Sequence, residues 1–355
     1  MRAAMRPILR FLLSASLFGG LTAAQAAPLA YVTNERAGVS VIDLDQLTVQ
    51  RTLDVGGQGP RGLGLSADGR LLVTANKGTS DISVIDTVSG QVLRRIPVGK
   101  NVEFVRVADD IAYVTYEPGV SGAGEGKAGA DAAKAGKDDK DDDQIPAEIA
   151  VVDIKQGKVL RSMKSGRETE GIEFSADGSQ MLVANEGDNT VTVYDRAKGT
   201  VLQRVDLSGQ GSRPRGIKIS PDGKTYAVTF EFSDRLVLID SRFKVLKSVA
   251  TRKSPYGVSY DPSGHRIYVA ASRASVIQVF DADSLAVIGE IPVGGRCWHF
   301  SLIPEAKRLI AACGKSDNLI VADTDTFAVL KTLPGAQAPW GIVTFPRARG
   351  SIDTP

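Results

Sequence analysis

The sequence predicts an all-β fold, a seven-bladed β-propeller built from four-stranded antiparallel blades. Seven short apolar runs each end in an aspartate, and the spacings between successive aspartates are 43, 67, 42, 45, 41 and 42 residues. Within each period, short strands rich in Val, Ile and Leu are separated by turns that contain Gly and Asp. Four strands in roughly 42 residues are typical of one propeller blade. The seven runs are VSVID (Asp43), ISVID (Asp86), IAVVD (Asp153), VTVYD (Asp195), LVLID (Asp240), IQVFD (Asp281) and LIVAD (Asp323).

The two ends of the repeat region complement each other. The first strand after the N-terminal segment, AYVTN, corresponds to the second strand of a blade, and the last one, WGIVTF, corresponds to a first strand. We therefore expect the C-terminal strand to join the three N-terminal strands in one blade. This arrangement closes the ring and removes the exposed strand edge that an open sheet would leave.

Residues 1–26 have the composition of a secretory signal peptide. Arg2, Arg6 and Arg10 precede or begin an apolar stretch, and Ala24-Gln25-Ala26 fits a cleavage site. The whole chain has a net charge of +2, and losing three arginines would leave about −1. We therefore expect a periplasmic protein in which residues 27–355 form a single propeller domain. No membrane span is expected after signal cleavage, and no nucleic-acid partner is expected without a basic field.

An insert at about 117–147 accounts for the one long spacing between repeats. Between Ser121 and Asp143 it has seven acidic residues and four lysines, and Gly and Ala make up most of the rest. This composition is typical of a disordered segment. Its acidic run lacks the spacing of a calcium-binding loop, so we do not predict a metal site there.

The residues at the start of the innermost strand of each blade are expected to lie together at one end of the predicted channel. Alignment of the repeats places seven chemically different side chains there: Arg61, Glu103, Glu170, Arg215, Tyr256, Trp298 and Trp340. The residue after this position is Gly in five of the seven blades, whereas the sixth blade has His299 there. Such a convergent set is the default hypothesis for a binding site, since Arg suits carboxylates and aromatic rings suit a flat organic ligand. The alternative is that the charged members pair with one another around a water-filled channel.

The links beside this ring carry more basic than acidic residues, which predicts a positive upper face. A small anionic or aromatic molecule, or a protein partner with an acidic patch, would suit that face. Three positions after the ring residue, polar residues interrupt the apolar pattern of the innermost strands at Arg106, Glu173 and Lys218. These three side chains are expected to line the channel.

The sequence shows no recognisable catalytic or metal-binding motif. It has two histidines, His265 and His299, which are too few for a His-based metal cluster, and it shows no G-x-S-x-G element. No cofactor is therefore predicted. Cys297 and Cys313 fall opposite each other about a short turn, so they either form a cross-strand disulfide or remain as two buried thiols.

The motifs YVTN at 31–34, VSVID and LLVTAN resemble the YVTN-repeat β-propeller family over about residues 29–346. The ordered set of strand entries, from GPRG to PWG, is similar to the propellers associated with PQQ-dependent alcohol catabolism. That resemblance implies a non-catalytic periplasmic binding or accessory protein, which uses the channel mouth for its ligand or partner. Two alternatives remain open. One is a propeller lactonase or hydrolase with a ring glutamate as base, and the other is a haem-d1-related carrier with His299 as a ligand.

Overall fold

The computed structural model describes residues 28–118, 145–303, 305 and 307–353, and these residues form a seven-bladed β-propeller. Seven four-stranded sheets are present in the described part of the chain, and all paired neighbours are antiparallel. The predicted fold class is confirmed. The predicted signal peptide at 1–26 lies outside the described residues, as does most of the predicted insert at 117–147.

The strands are numbered in chain order. They are β1 (Leu29–Asn34), β2 (Val39–Asp43), β3 (Thr48–Leu53), β4 (Pro60–Leu65), β5 (Leu71–Asn76), β6 (Asp81–Asp86), β7 (Val92–Pro97), β8 (Val105–Ala108), β9 (Ile111–Tyr116), β10 (Pro146–Asp153), β11 (Lys158–Arg167), β12 (Thr169–Phe174), β13 (Gln180–Asn185), β14 (Thr190–Asp195), β15 (Val201–Asp206), β16 (Pro214–Ile219), β17 (Thr225–Phe230), β18 (Arg235–Asp240), β19 (Val245–Ala250), β20 (Pro255–Tyr260), β21 (Arg266–Ala271), β22 (Val276–Asp281), β23 (Val287–Pro292), β24 (Cys297–Ile303), β25 (Arg308–Cys313), β26 (Asn318–Asp323), β27 (Val329–Pro334) and β28 (Pro339–Phe345).

Blades are numbered here by their first strand. Blades 1 to 6 begin with β4, β8, β12, β16, β20 and β24, and blade 7 combines β28 with β1, β2 and β3. In blade 7, β1 pairs with β28 on one side and with β2 on the other, with Tyr31 opposite Val343. The ring is therefore closed as the sequence predicted.

The burial of each strand follows from its place in the blade. The first three strands are covered on both faces because neighbouring blades pack against them, so β5 has one partly exposed residue followed by five buried ones. The outermost strands face solvent, and β3 has five exposed residues out of six. Burial of the apolar side chains between blades supplies the main stabilising free energy.

The C-terminal segment 346–353 folds back into the channel, which the sequence pattern did not indicate. It lies along β24, where Leu302 N donates to Arg349 O at 2.8 Å and Ser351 N donates to Phe300 O at 2.9 Å. Ile352 and Asp353 are buried there. We call this segment the tail.

Cys297 and Cys313 lie directly opposite each other in β24 and β25, and they form a disulfide. Of the two alternatives considered from the sequence, the structure has the bonded one. Within the described residues, no helix has the length and apolar character needed to cross a membrane.

Candidate functional site

A polar cavity of about 470 Å³ opens on the face where the innermost strands begin, and we call it the mouth. Among the described residues that line it, five are basic and five are acidic. They are Arg61, Lys77, Lys100, Arg213 and Arg215, together with Glu103, Glu117, Glu168, Glu170 and Glu186. Basic and acidic residues are therefore equal in number in the described lining of the mouth.

Two rings of residues build the mouth. The first ring is the one predicted from the sequence, and its members Arg61, Glu103, Glu170 and Arg215 all line the cavity. The second ring consists of the residue that follows the second strand of each blade. Its members are Glu35, Lys77, Glu117, Glu186, Glu231, Ser272 and Gly314. Sequence reasoning missed this ring, although the same alignment, read at the end of the second strand, would have found its four glutamates.

Arg215 is the centre of the acidic side of the mouth. Its Nη2 lies 3.0 Å from Glu170 Oε1, and its Nη1 lies 2.5 Å from Glu186 Oε1 and 3.1 Å from Glu231 Oε2. Its guanidinium also stacks on the ring of Tyr256, with 4.0 Å between Cζ and the ring centroid. Glu103 Oε2 is also 4.0 Å from Arg215 Nη2, so four glutamates surround this one buried arginine.

Neighbouring cations complete the network. Arg61 is 2.6 Å from both Glu35 and Glu103, and Lys77 Nζ is also 2.6 Å from Glu103. On the other side, Arg213 Nη2 lies 2.6 Å from Glu168, and its Nη1 lies 3.1 Å from Glu186. The charged residues of the first ring therefore pair with one another and with the second ring, which was the alternative considered from the sequence.

The carboxyl groups of the mouth differ strongly in acidity. Burial raises the pKa of Glu103, but Arg61, Lys77 and Arg215 outweigh burial and hold that pKa well below its usual range. Burial raises the pKa of Glu170 well above its usual value, and the charges of Glu103 and Glu186 add to this effect against Arg215. Burial also raises the pKa of Glu186 to about 8, in spite of Arg215. Glu170 therefore holds its proton while the adjacent Glu103 is ionised.

An aromatic layer lies beneath the mouth. The His299 ring is 4.4 Å from Trp340 and 5.3 Å from Tyr256, measured between centroids, and Phe104 lies at 6.4 Å. Burial lowers the pKa of His299 well below its usual value, and the charge of Arg215 adds to this effect. His299 is therefore a neutral imidazole.

A small cavity of about 10 Å³ separates this layer from the mouth. Glu170, Arg215, Tyr256 and His299 are among the residues that line it. Nε2 of His299 is buried and has no hydrogen-bond partner among the described residues, whereas Nδ1 lies 3.0 Å from Ser351 Oγ. A volume of this size holds about one water molecule. A haem-ligand role for His299 is not supported, because no macrocycle fits beside Nε2.

Trp298 lines neither of these two cavities, although it occupies the same repeat position as Tyr256. It is partly buried at the edge of the apolar cluster that includes Trp340. A Cβ on Gly314 would come within 1.9 Å of its ring. In blade 6, the second-ring position is therefore a glycine, Gly314, because the Trp298 side chain of the first ring lies over it.

The far side of the channel is filled by the tail and by the three polar residues predicted to line it. Arg106 Nη2 lies 3.0 Å from Glu173, and Lys218 Nζ lies 3.3 Å from the same carboxylate. Both cations also donate to the carbonyl of Ile352. The tail thus blocks the channel, and the mouth is a pocket closed at its base.

Comparison with known proteins gives a family model that matches residues 147–249, described as "Lactonase, 7-bladed beta-propeller". No curated protein matches the chain.

Several solved structures share the fold, at sequence identities that support the fold alone. Periplasmic gluconolactonase from Pseudomonas aeruginosa has 16% identity and a TM-score of 0.69, over 90% of this chain and 99% of that one. A protein from Bacteroides uniformis, provisionally described as a 6-phosphogluconolactonase, has 16% identity and a TM-score of 0.70 over the same shares of the two chains. A functionally unknown protein from Desulfotomaculum acetoxidans has 16% identity and a TM-score of 0.71, over 89% of this chain and 98% of that one.

These findings correct three expectations from the sequence. The resemblance to propellers of PQQ-dependent alcohol catabolism is wrong, because the matching family model describes lactonases. The expected non-catalytic binding or accessory role is overturned by the same match. The sequence left enzymatic activity uncertain but favoured its absence, and that preference is also contradicted, since the matched family is named for a hydrolytic activity. The sequence motifs failed because they report the repeat backbone, which many activities share.

Proposed function

We propose that this protein is a lactonase, which hydrolyses the cyclic ester of a sugar acid at the mouth. The observation that carries this proposal is the pair of buried glutamates, Glu170 and Glu186, on either side of Arg215. Both residues and the arginine fall within residues 147–249, the part that matches the lactonase model. A fold shared with a gluconolactonase supports the same assignment.

The two glutamates suit the two proton transfers of lactone hydrolysis. Ionised Glu186 would take a proton from water as the water oxygen attacks the lactone carbonyl carbon. Protonated Glu170 would give its proton to the ring oxygen as the ester bond breaks, which leaves a hydroxy acid. Paired carboxyl groups in different environments commonly divide the work of acid and base in this way.

Arg215 would stabilise the negative charge that develops on the carbonyl oxygen. A mostly buried guanidinium stabilises such a charge more strongly than one that is surrounded by solvent. Its plane is held by stacking on Tyr256 at 4.0 Å and by the surrounding glutamates. The arginine therefore does not need to reorganise when the oxyanion forms.

The pairing of four cations of the mouth with glutamates favours a neutral lactone over a phosphorylated one. Arg61, Lys77, Arg213 and Arg215 each contact at least one glutamate. A phosphate dianion would have to compete with those carboxylates for the same cations. A polyhydroxylated neutral ring would instead accept and donate hydrogen bonds within the existing network.

A periplasmic location belongs to the same proposal. The basic and apolar pattern of residues 1–26 supports export. A disulfide between Cys297 and Cys313 suits an oxidising compartment. The gluconolactonase with the same fold is itself described as periplasmic.

The proposal is tested by following acid release from gluconolactone with the purified protein near neutral pH, after subtraction of spontaneous hydrolysis. We expect turnover of gluconolactone and a much lower kcat/KM for 6-phosphogluconolactone. Arg215→Gln should abolish turnover, whereas Arg252→Gln, on an exposed surface pair with Glu290, should keep it. Absence of turnover with gluconolactone and with a panel of other lactones would overturn the proposal.

A further inference from the structure

A second cavity, of about 480 Å³, lies at the opposite end of the innermost strands, and we call it the lower cavity. Its walls include the turns that follow β4, β12 and β16, and its inner side includes residues of the tail. It is separated from the mouth by the aromatic layer and by the tail. Nothing in the proposed hydrolysis uses it.

Cations outnumber carboxylates where the tail meets the lower cavity. Four basic side chains meet two acidic ones there: Arg106, Lys218, Arg347 and Arg349 against Glu173 and Asp353. Arg106 bridges the two carboxylates, at 3.0 Å from Glu173 and 2.9 Å from Asp353. Of the described residues that line the lower cavity itself, four are basic and three are acidic, whereas the two kinds are equal in number in the mouth.

Arg349 is the member of this group that has no carboxylate partner among the described residues. Its Nη1 donates to the carbonyl of Ile219 at 3.2 Å, and its side chain lines the cavity. Arg106, which also lines the cavity, is almost fully buried, and within the described part of the chain its Nε has no hydrogen-bond acceptor. Unpaired buried donors of a charged group are costly, so they indicate a missing acceptor.

The remaining charges of the cavity do not supply that acceptor. Arg196 lies 2.7 Å from Asp109 and stacks on Phe174, with 4.7 Å between Cζ and the ring centroid. Asp177 accepts hydrogen bonds from Ser175 and Ser179 within its own turn. These acids are therefore engaged at the rim, away from the tail.

Burial is the main cause of the lowered pKa of two basic groups in this region. It lowers the pKa of Lys218 to about 7; the charge of Arg106 adds to the lowering, whereas Glu173 and Asp353 act in the opposite direction. Burial also lowers the pKa of Arg349, where Glu173 acts in the opposite direction and Arg106 adds to the lowering. A bound anion would help to offset the cost of burying these positive charges.

We propose that the lower cavity is a binding site for a small oxyanion, a carboxylate or a phosphate, held by Arg349 and Arg106. The inference does not depend on the lactonase activity, because it rests on a different cavity and on different residues. It gives the propeller two ligand sites at opposite ends of one axis, with the tail between them.

The experiment is a calorimetric titration of the full-length protein with inorganic phosphate and, separately, with acetate, at constant ionic strength set by chloride. We expect saturable binding of at least one of them and at least a tenfold weaker affinity for Arg349→Gln. Arg349→Lys, which keeps the charge, should retain most of the affinity. The matched control is Arg70→Gln, because Arg70 lies on the same face with its side chain 61% exposed.

The outcomes separate the sources of the anion and the ways in which the proposal fails. Binding of phosphate alone would identify a phosphate site, and binding of acetate alone a carboxylate site. Absence of saturable binding for both would overturn the proposal. It would also fail if Arg349→Gln bound as tightly as the unmodified protein, or if Arg70→Gln weakened binding equally. Circular dichroism of each variant checks that the fold is kept.

Discussion

Replacement of Glu186 by glutamine tests the assignment of the general base. The side chain is buried, with Oε1 at 2.5 Å from Arg215 Nη1 and Oε2 at 3.1 Å from Arg213 Nη1. Glutamine has nearly the same shape, but it cannot accept a proton from water. A positioned general base contributes about 10²- to 10⁴-fold to a rate. We therefore expect kcat for gluconolactone to fall by that factor in Glu186→Gln.

The pH dependence of the unmodified protein gives an independent check on the same residue. The base works in its ionised form, and its pKa is raised to about 8. The ionised fraction therefore rises with pH, so kcat/KM should increase up to about pH 8 and then level off. Acid release is measured with a weakly buffered indicator, and spontaneous hydrolysis is subtracted at each pH.

The matched control for this substitution is Glu290→Gln, on the outermost strand of blade 5. Glu290 also pairs with an arginine, at 2.9 Å from Arg252, but far from the mouth on the protein surface. Its rate should stay within twofold of the unmodified protein, roughly the scatter expected for a surface change. The assignment is refuted if Glu186→Gln keeps most of its activity, or if kcat/KM falls as the pH rises toward 8.

Two further predictions concern stability, and both are read from urea unfolding followed by circular dichroism. Glu173→Gln leaves Arg106 and Lys218 short of a buried carboxylate, so we expect a loss of about 3–5 kcal/mol; a loss below about 1 kcal/mol would contradict the described network. Gly62→Ala places a Cβ 2.6 Å from the carbonyl oxygen of Glu103 in the next blade and should cost about 1–3 kcal/mol. Gly209→Ala, which has no heavy atom within 4 Å of the new Cβ, is its control and should be close to neutral; equal effects of the two would refute the close approach of blades.

The fold was predictable because the same strand pattern occurs seven times in the sequence. Each copy of the pattern supports the others, so one long insert did not hide the period. Closure was also legible, since the last strand fits the position missing before β1. The tail was not predictable, because residues 346–353 follow the last repeat and their polar partners lie on blades 2 and 4.

The site was predictable only in part, because two rings of residues build it and the sequence analysis identified one of them. The first ring was found because innermost strands converge on the axis at every blade. The second ring was missed, because the end of a second strand was treated as a surface loop. That ring contributes Glu35, Glu186 and Glu231, which contact Arg61 and Arg215 of the first ring and, through Glu186, Arg213 of a neighbouring link. The charge of the mouth was therefore misjudged, because only the residues around the start of the innermost strands were counted and those after the second strands were not.

The symmetry of the repeat is broken in a way that fixes how a substrate would lie in the mouth. Glu170, Glu186, Arg213 and Arg215 come from blades 3 and 4, which carry the lactonase match. Tyr256 and Trp340, on blades 5 and 7, instead form an apolar floor with a neutral histidine. Glu170 and Glu186, whose pKa values are raised, both lie on blade 3, whereas Arg61 and Lys77 on blade 1 keep the adjacent Glu103 ionised. The ester group of a lactone would therefore lie against blades 3 and 4, and its hydroxyl groups would face the paired charges of blades 1 and 2.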